Sequence, residues 1–155
     1  MYNIIFLDID GVLKKPTEDS WFYTSISLIK NYTSTTNTKI VISSDWRLHK
    51  KKSFFTKLLG ESVIGMTKDL QSIYPEYSRY YECLNYANKH KINNYIFIDD
   101  TESHFLKKDR LILTNPSDGL VLADIFKLHT FFSTIPEFKQ LTMFNNIEEI
   151  ELTSI

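Results

Sequence analysis

Asp8, Asp10, Ser43, Asp99 and Asp100 are the residues of this chain whose types and order could do chemistry, because each stands where a short apolar or β-branched run ends. Carboxylates gathered in one place repel one another unless a cation sits among them, and hard oxygen ligands favour Mg²⁺. Mg²⁺ keeps several waters and takes one or two carboxylates together with substrate phosphate, a role that fits Asp8 and a carboxylate of the Asp99-Asp100 pair. With phosphate charge masked in this way, an aspartate attacks phosphorus in line and forms an aspartyl-phosphate, which makes Asp8 the candidate nucleophile. Residues i and i+2 on an extended chain point the same way. Asp10 can therefore lie beside Asp8, give a proton to the leaving oxygen and later activate water. A hydroxyl at Ser43 would hydrogen-bond the phosphoryl oxygens, helped by amides at the start of the following helix.

The elements that must position these groups follow from patterning. Residues 3–7 are almost wholly apolar and end at acids and Gly11, the signature of a central strand buried on both faces. Apolar positions at Trp21, Ile26, Leu28 and Ile29 predict a helix over 20–32, with 33–38 a polar loop. Residues 39–42 read as a second strand, and Ser43, Ser44 or Asp45 can cap a helix that continues through Leu59 until Gly60 stops it. After a less regular stretch containing Pro75 come a helix over about 76–89, a third strand at 95–98 and a fourth at 110–113. A turn at 116–119 and a helix to about Phe131 complete the core. Alternating strands and helices imply parallel pairing through right-handed crossovers, hence an α/β doubly wound parallel sheet, whose ligands sit at the carboxyl ends of the strands.

The bulk properties narrow the classes. A length of 155 residues predicts one domain, with a core over about 1–131 and an extension over about 132–155. With 43% apolar and 14% aromatic residues and only 4 Gly and 4 Pro, the chain can bury a core. Its 18 basic and 19 acidic side chains leave a net charge of -1, so no global field draws it to nucleic acid or anionic lipid, and any polyanion contact must be local. A single Cys83, no apolar run near the roughly 18 residues of a membrane span and no signal-peptide pattern in MYNIIFLDID together predict a cytoplasmic protein without a membrane partner.

FLDIDGVL resembles the first motif of the haloacid dehalogenase-like (HAD) superfamily of aspartate-dependent phosphatases. VISSDWR, an arginine ahead of a helix, and IFIDD are similar to the branch described as the HAD domain of multi-domain RNA-repair (Swiss Army Knife) proteins, over about residues 4–120. The resemblance implies a Rossmann-like core with Asp8 as nucleophile, Asp10 as acid/base with its backbone carbonyl on Mg²⁺, and Ser43 as the second-motif hydroxyl. It implies Asp99 and Asp100 as the acidic fourth motif, with Asp100 the more direct ligand, and Arg79 before YYECLNYA as the phosphoryl-stabilising cation; Lys68 is the fallback. About 30 residues separate Leu13 from Ser43, too few for an inserted cap, so the enzyme is expected to be essentially capless and open to large substrates. The implied substrates are phosphorylated RNA or DNA ends or nucleotides.

Other side chains carry plainer readings. His49, Lys50, Lys51 and Lys52 form a basic run beside the site that could meet a phosphodiester backbone or be a solvated face. Lys14 and Lys15 are rim cations, and Trp46 reads as core packing with no base recognition. Two alternatives to a phosphatase stand beside it. A receiver-like signalling module also gathers carboxylates around Mg²⁺, but accepts phosphate at the third strand and lacks the paired aspartates at the first. An inactive scaffold would bind a partner through the tail.

Overall fold

Five parallel strands in the order β3-β2-β1-β4-β5 carry the site, in a computed structural model that describes residues 2–133. The elements are β1 (Asn3–Leu7), α1 (Tyr23–Thr35), β2 (Thr38–Ile42), α2 (Lys52–Leu59), β3 (Val63–Met66), α3 (Ser78–Lys89), β4 (Tyr95–Asp99), β5 (Leu111–Leu113) and α4 (Leu122–Phe132). The expected extension beyond Ser133 lies outside the described residues.

Strand β1 is buried along its whole length because both of its faces are covered. Ile5 and Leu7 alternate with Ile4 and Phe6, so one face packs with Ile26, Ile29, Phe55, Leu128 and Phe132 of α1, α2 and α4. The other face packs with Tyr80, Cys83 and Ala87 of α3. The chain winds outward from β1 to β3, then returns along the opposite face through α3 and lays β4 against the free side of β1. That reversal makes a switch point beside β1, where two strand ends part and leave a crevice.

Four expectations are corrected. Residues 33–35 are not loop but the last turn of α1, because Thr33 Oγ1 donates to Ile29 O at 3.0 Å and Thr35 Oγ1 to Asn31 O at 2.8 Å. Hydroxyls that bond back to i−4 carbonyls let a polar run remain helical. Thr38, placed in the same loop, opens β2. The single helix expected from Ser43 to Leu59 is two pieces: a 3₁₀ turn at Asp45–Leu48, capped by Ser44 Oγ accepting from Trp46 N at 3.2 Å, and then α2. The strand β3 lies in the stretch read as irregular; among the described residues it is a four-residue edge strand that pairs only with β2, through a register shift, and leaves Ile64 exposed.

Only residues 8–22 separate β1 from α1 and only 67–77 separate β3 from α3, so no lid domain stands over the rim among the described residues. No described helix is long and apolar enough to cross a membrane.

Candidate functional site

Register brings the sequence-separated acids together. Leu7 pairs with Ile42 on one side and Ile98 on the other. The ladder runs one step further: Asp8 N donates to Ile98 O at 3.0 Å and Ser43 N to Leu7 O at 3.1 Å. Asp8, Ser43 and Asp99 therefore come to lie abreast at the carboxyl ends of β1, β2 and β4, all of them buried. Asp100, just beyond β4, closes the group: carboxylate oxygens of Asp8, Asp99 and Asp100 lie within 4.8 Å of one another.

Gly11 makes the approach of Asp100 possible. Its φ is +77°, and a Cβ there would stand 2.1 Å from Asp100 Oδ2, a collision no rotamer change at Gly11 could relieve. Thr114, at the end of β5, holds the same turn by donating from Oγ1 to Gly11 O at 2.8 Å. The acids after β4 are fixed in their turn by Thr101, whose N–H donates to Asp99 Oδ1 and whose hydroxyl donates to Asp100 Oδ1, both at 2.9 Å.

Arg79 enters from the first turn of α3. Its Nη1 lies 2.7 Å from Asp99 Oδ2 and 3.4 Å from Asp8 Oδ1, and its Nη2 lies 3.3 Å from the exposed Asp45 Oδ1. The sequence could not tell which face of α3 turns inward; the structure buries Arg79 together with Tyr80, Glu82, Cys83 and Ala87. Lys68, the fallback cation, is exposed. Burial would lower the Arg79 pKa, but Asp8, Asp99 and Asp45 outweigh it and raise the value, so the guanidinium stays protonated.

One guanidinium does not balance three carboxylates. Burial first, then the charge of Asp99, pushes the Asp8 carboxyl up to about 8 despite the pull of Arg79. Burial likewise raises Asp99 to about 6. In the protein alone burial and the neighbouring carboxylates therefore oppose ionisation of Asp8, whereas a divalent cation among the oxygens would favour its charged form. The donor set, all carboxylate oxygen and converging within one coordination sphere, fits a hard divalent ion.

Asp10 does not join the three-carboxylate group through its side chain. Its half-buried carboxylate turns toward the 3₁₀ turn, where Oδ2 accepts from Trp46 Nε1 at 3.0 Å. The hold of Trp46 on Asp10 is one role that sequence reasoning missed. The ring packs on Phe54 and Trp21 as core patterning implies, yet its indole N–H also orients Asp10 across 36 positions. The signal was an indole near a strand end, which buries a ring but needs a partner for its N–H.

Lys14, read as a rim cation, is buried, and its ammonium donates to Glu18 O and, at 3.1 Å, to Lys15 O. It ties the first-motif loop. Lys15 pairs with Glu18 at 3.5 Å. His49 to Lys52 are exposed, as a solvated face would be, and His49 and Lys50 also line a hollow beside Asp10.

A second buried arginine supports the site from behind. Arg47 donates from Nε to Thr67 O at 2.8 Å and from Nη1 to Ser44 O at 2.9 Å, while its Nη2 pairs with Glu82 Oε2 at 2.9 Å. Glu82 also accepts from Leu70 N at 2.9 Å. The pair thereby ties the ends of β2 and β3 to α3, one helical turn from Arg79.

No curated protein and no solved structure matches the chain significantly. The family described as the HAD domain in Swiss Army Knife RNA repair proteins matches residues 4–125, a span that runs from β1 into α4 and takes in every acid, the serine and the arginine of the site. The chain belongs to that family of HAD domains.

Proposed function

We propose that the protein is a Mg²⁺-dependent phosphomonoester hydrolase that works through an aspartyl-phosphate on Asp8. The observation that carries this reading is the convergence of Asp8, Asp99 and Asp100 within 4.8 Å beside the Arg79 guanidinium. Asp8, Asp99, Asp100 and the Asp10 carbonyl would hold Mg²⁺, which would supply charge that favours the ionised Asp8 and offsets the phosphoryl oxygens. Ser43 and Arg79 hold the phosphoryl group from the β2 and α3 sides, Ser43 by its hydroxyl and Arg79 by its fork.

Asp8 attacks phosphorus as the bond to the leaving oxygen breaks, and that oxygen takes the proton carried by Asp10. The indole of Trp46 holds Asp10 through Oδ2, which leaves Oδ1 for proton exchange. In the second half, Asp10 accepts a proton from water, the water oxygen attacks phosphorus, and the bond to Asp8 breaks to release phosphate. Transfer to another hydroxyl instead of water uses the same groups.

Family membership supports nucleic-acid ends or nucleotides as the substrate, and a rim without a lid domain among the described residues agrees with a polymer. A cytoplasmic setting agrees with the lone, buried Cys83.

The test is hydrolysis of an aryl phosphate with and without Mg²⁺, beside Asp8→Asn and Asp10→Asn. Metal-dependent turnover that both substitutions abolish or nearly abolish is the expected result. Full activity of Asp8→Asn, or turnover indifferent to Mg²⁺, would refute the mechanism. A panel of 3′- and 5′-phosphorylated oligonucleotides, nucleotides and sugar phosphates then ranks substrates.

A further inference from the structure

We infer that the free edge of β3 is a self-association surface, on which a second copy of this chain lays its own β3 antiparallel, about a two-fold axis between Ile64 and Gly65.

Strand β3 ends the sheet, and among the described residues it pairs only with β2. The ladder shows which of its backbone groups face outward. Val63 is level with Ile40, and Ile40 N donates to Ser62 O at 2.8 Å; Met66 is level with Ile42, and Thr67 N donates to Ile42 O at 3.0 Å. In a parallel ladder, a residue whose partner bonds to its two flanking residues turns its own N–H and C=O the other way. Val63 and Met66 therefore present both groups to the free edge, where Val63 N has only a long turn contact to Gly60 O at 3.4 Å.

Outward-facing residues of a regular strand stand an even number apart, but the register shift opposite Ile40 and Val41 sets Val63 and Met66 three apart. Such a shift spoils pairing with a regular foreign strand, one of the ways in which sheet edges are kept from aggregating. An inverted strand with the same shift matches it. With Val63 opposite Met66 of the second copy, both outward residues of both chains exchange N–H···O bonds at once. Setting Val63 or Met66 opposite itself would use only one of the two.

The side chains agree with that register. Directly opposed residues share a face, and Val63 and Met66 both pack with the cluster that holds Ile26, Ile29 and Phe55. Ile64 falls opposite Gly65. Ile64 is exposed beside a hollow of about 230 Å³ that Tyr2, Tyr86 and Ile92 also line, and Gly65 lies against the Tyr86 hydroxyl, so these two share the other face. Without a side chain, Gly65 leaves room for the Ile64 of the second copy.

Beyond the strand, Glu61 comes opposite Lys68. Both are exposed, and neither has an ion-pair partner among the described residues. The two-fold axis makes this pair twice, once at each end of the joined strands. A slip of one residue sets Glu61 against Thr67 or against Asp69 and loses both pairs. The backbone and the charges thus select the same register independently. The joined sheet takes five strands from each chain, and the two acid rims open at its opposite ends.

A single strand's ladder is a small interface, so dissociation in the micromolar range is expected. Sedimentation of the full chain across micromolar concentrations should show a monomer–dimer equilibrium that stops at two copies, and hydrogen exchange at the Met66 amide should slow as the dimer forms. Glu61→Lys alone and Lys68→Glu alone each oppose like charges at both ends and should weaken the dimer about tenfold. An equimolar mixture of the two variants opposes cations on one chain to acids on the other, and should associate as tightly as the parent. Lys52→Glu, an equal change of charge on an exposed residue away from this edge, should leave association unchanged. A monomer at every concentration, a dimer that neither variant weakens, a mixture no tighter than either variant alone, or an equal effect of Lys52→Glu would overturn the inference.

Discussion

Two buried arginines meet carboxylates at nearly the same distance, Arg79 at 2.7 Å from Asp99 and Arg47 at 2.9 Å from Glu82, and their surroundings could hardly differ more. Arg47 spends its fork on backbone carbonyls after β2 and β3 and on one buried acid, Glu82, with only the exposed Asp45 at 3.5 Å beside it, so its buried pair is balanced in charge. Arg79 faces Asp8 and Asp99 in the interior with Asp100 alongside. A balanced buried pair is finished structure, whereas an excess of buried carboxylate is a cost the fold tolerates where something else is to bind. One helical turn of α3 separates Arg79 from Glu82, so the two roles are segregated along one element.

The sharpest way to break this comparison is Asp8→Asn. If Asp8 is the nucleophile, turnover of an aryl phosphate should fall by about 10⁴-fold or more. Stability should not fall with it, because the amide replaces a carboxyl whose ionisation burial already opposes. A thermal melt beside the kinetics reads both, and a variant that is inactive only because it is unfolded would break the contrast.

Glu82→Gln should show the reverse pattern. It leaves Arg47 charged and buried with only the exposed Asp45 at 3.5 Å as an ion-pair partner, which costs about 3 kcal/mol. Urea unfolding measures that loss, and Arg47→Met with Glu82→Leu should recover much of it. If Glu82→Gln is as stable as the parent, the pair is not the scaffold described. Arg79→Ala should lower kcat by about 10²–10³-fold through lost stabilisation of phosphoryl charge. Arg79→Lys should restore only part, since one ammonium cannot reproduce the fork.

How much of this contrast was legible beforehand depends on whether a group's role is local. Asp8, Ser43 and Asp99 could be read as neighbours because a parallel sheet aligns strand ends, and the apolar runs before them marked the strands. Arg79 could be read only by its position before YYECLNYA, since the inward face of α3 carries the charged Arg79 and Glu82 beside Tyr80, Cys83 and Ala87, and an apolar stripe alone does not mark it. Trp46 on Asp10 and Arg47 on Glu82 depend on side chains meeting across 36 and 35 positions, and no local pattern announces them. Nothing in the sequence sets Glu82 apart from other helical acids, and only the fold buries it. The strand β3 was lost for another reason: four residues at a sheet edge with a glycine among them carry too little periodicity.

The smallest effect expected is also the most specific to the unbalanced cluster: the way pH and Mg²⁺ act together on stability. In the metal-free protein Asp8 holds its proton up to about 8, while the same group unfolded releases it near 3.8. Between those values the native state binds more protons, so Asp8 makes stability fall as pH rises. Asp99, raised to about 6, acts in the same sense lower in that window. His104 and His129, both lowered from 6.5 chiefly by burial, act in the opposite sense, and their contribution is complete above that value. Glu82, also raised by burial, acts in the same sense as Asp8, and Asp8→Asn separates the two in the interval from about pH 7 to 8. Mg²⁺ binds the ionised carboxylate and displaces the proton, so its stabilisation should grow across that interval, reaching about 2.7 kcal/mol at a hundredfold excess over Kd. Melting curves from pH 5 to 9 with and without Mg²⁺ test this. The Mg²⁺-induced rise in Tm should be small near pH 5 and large at pH 8, and Asp8→Asn should flatten both the metal-free slope and the Mg²⁺ effect. A Mg²⁺ shift that is independent of pH, or unchanged in Asp8→Asn, would mean that the excess charge around Arg79 is settled some other way.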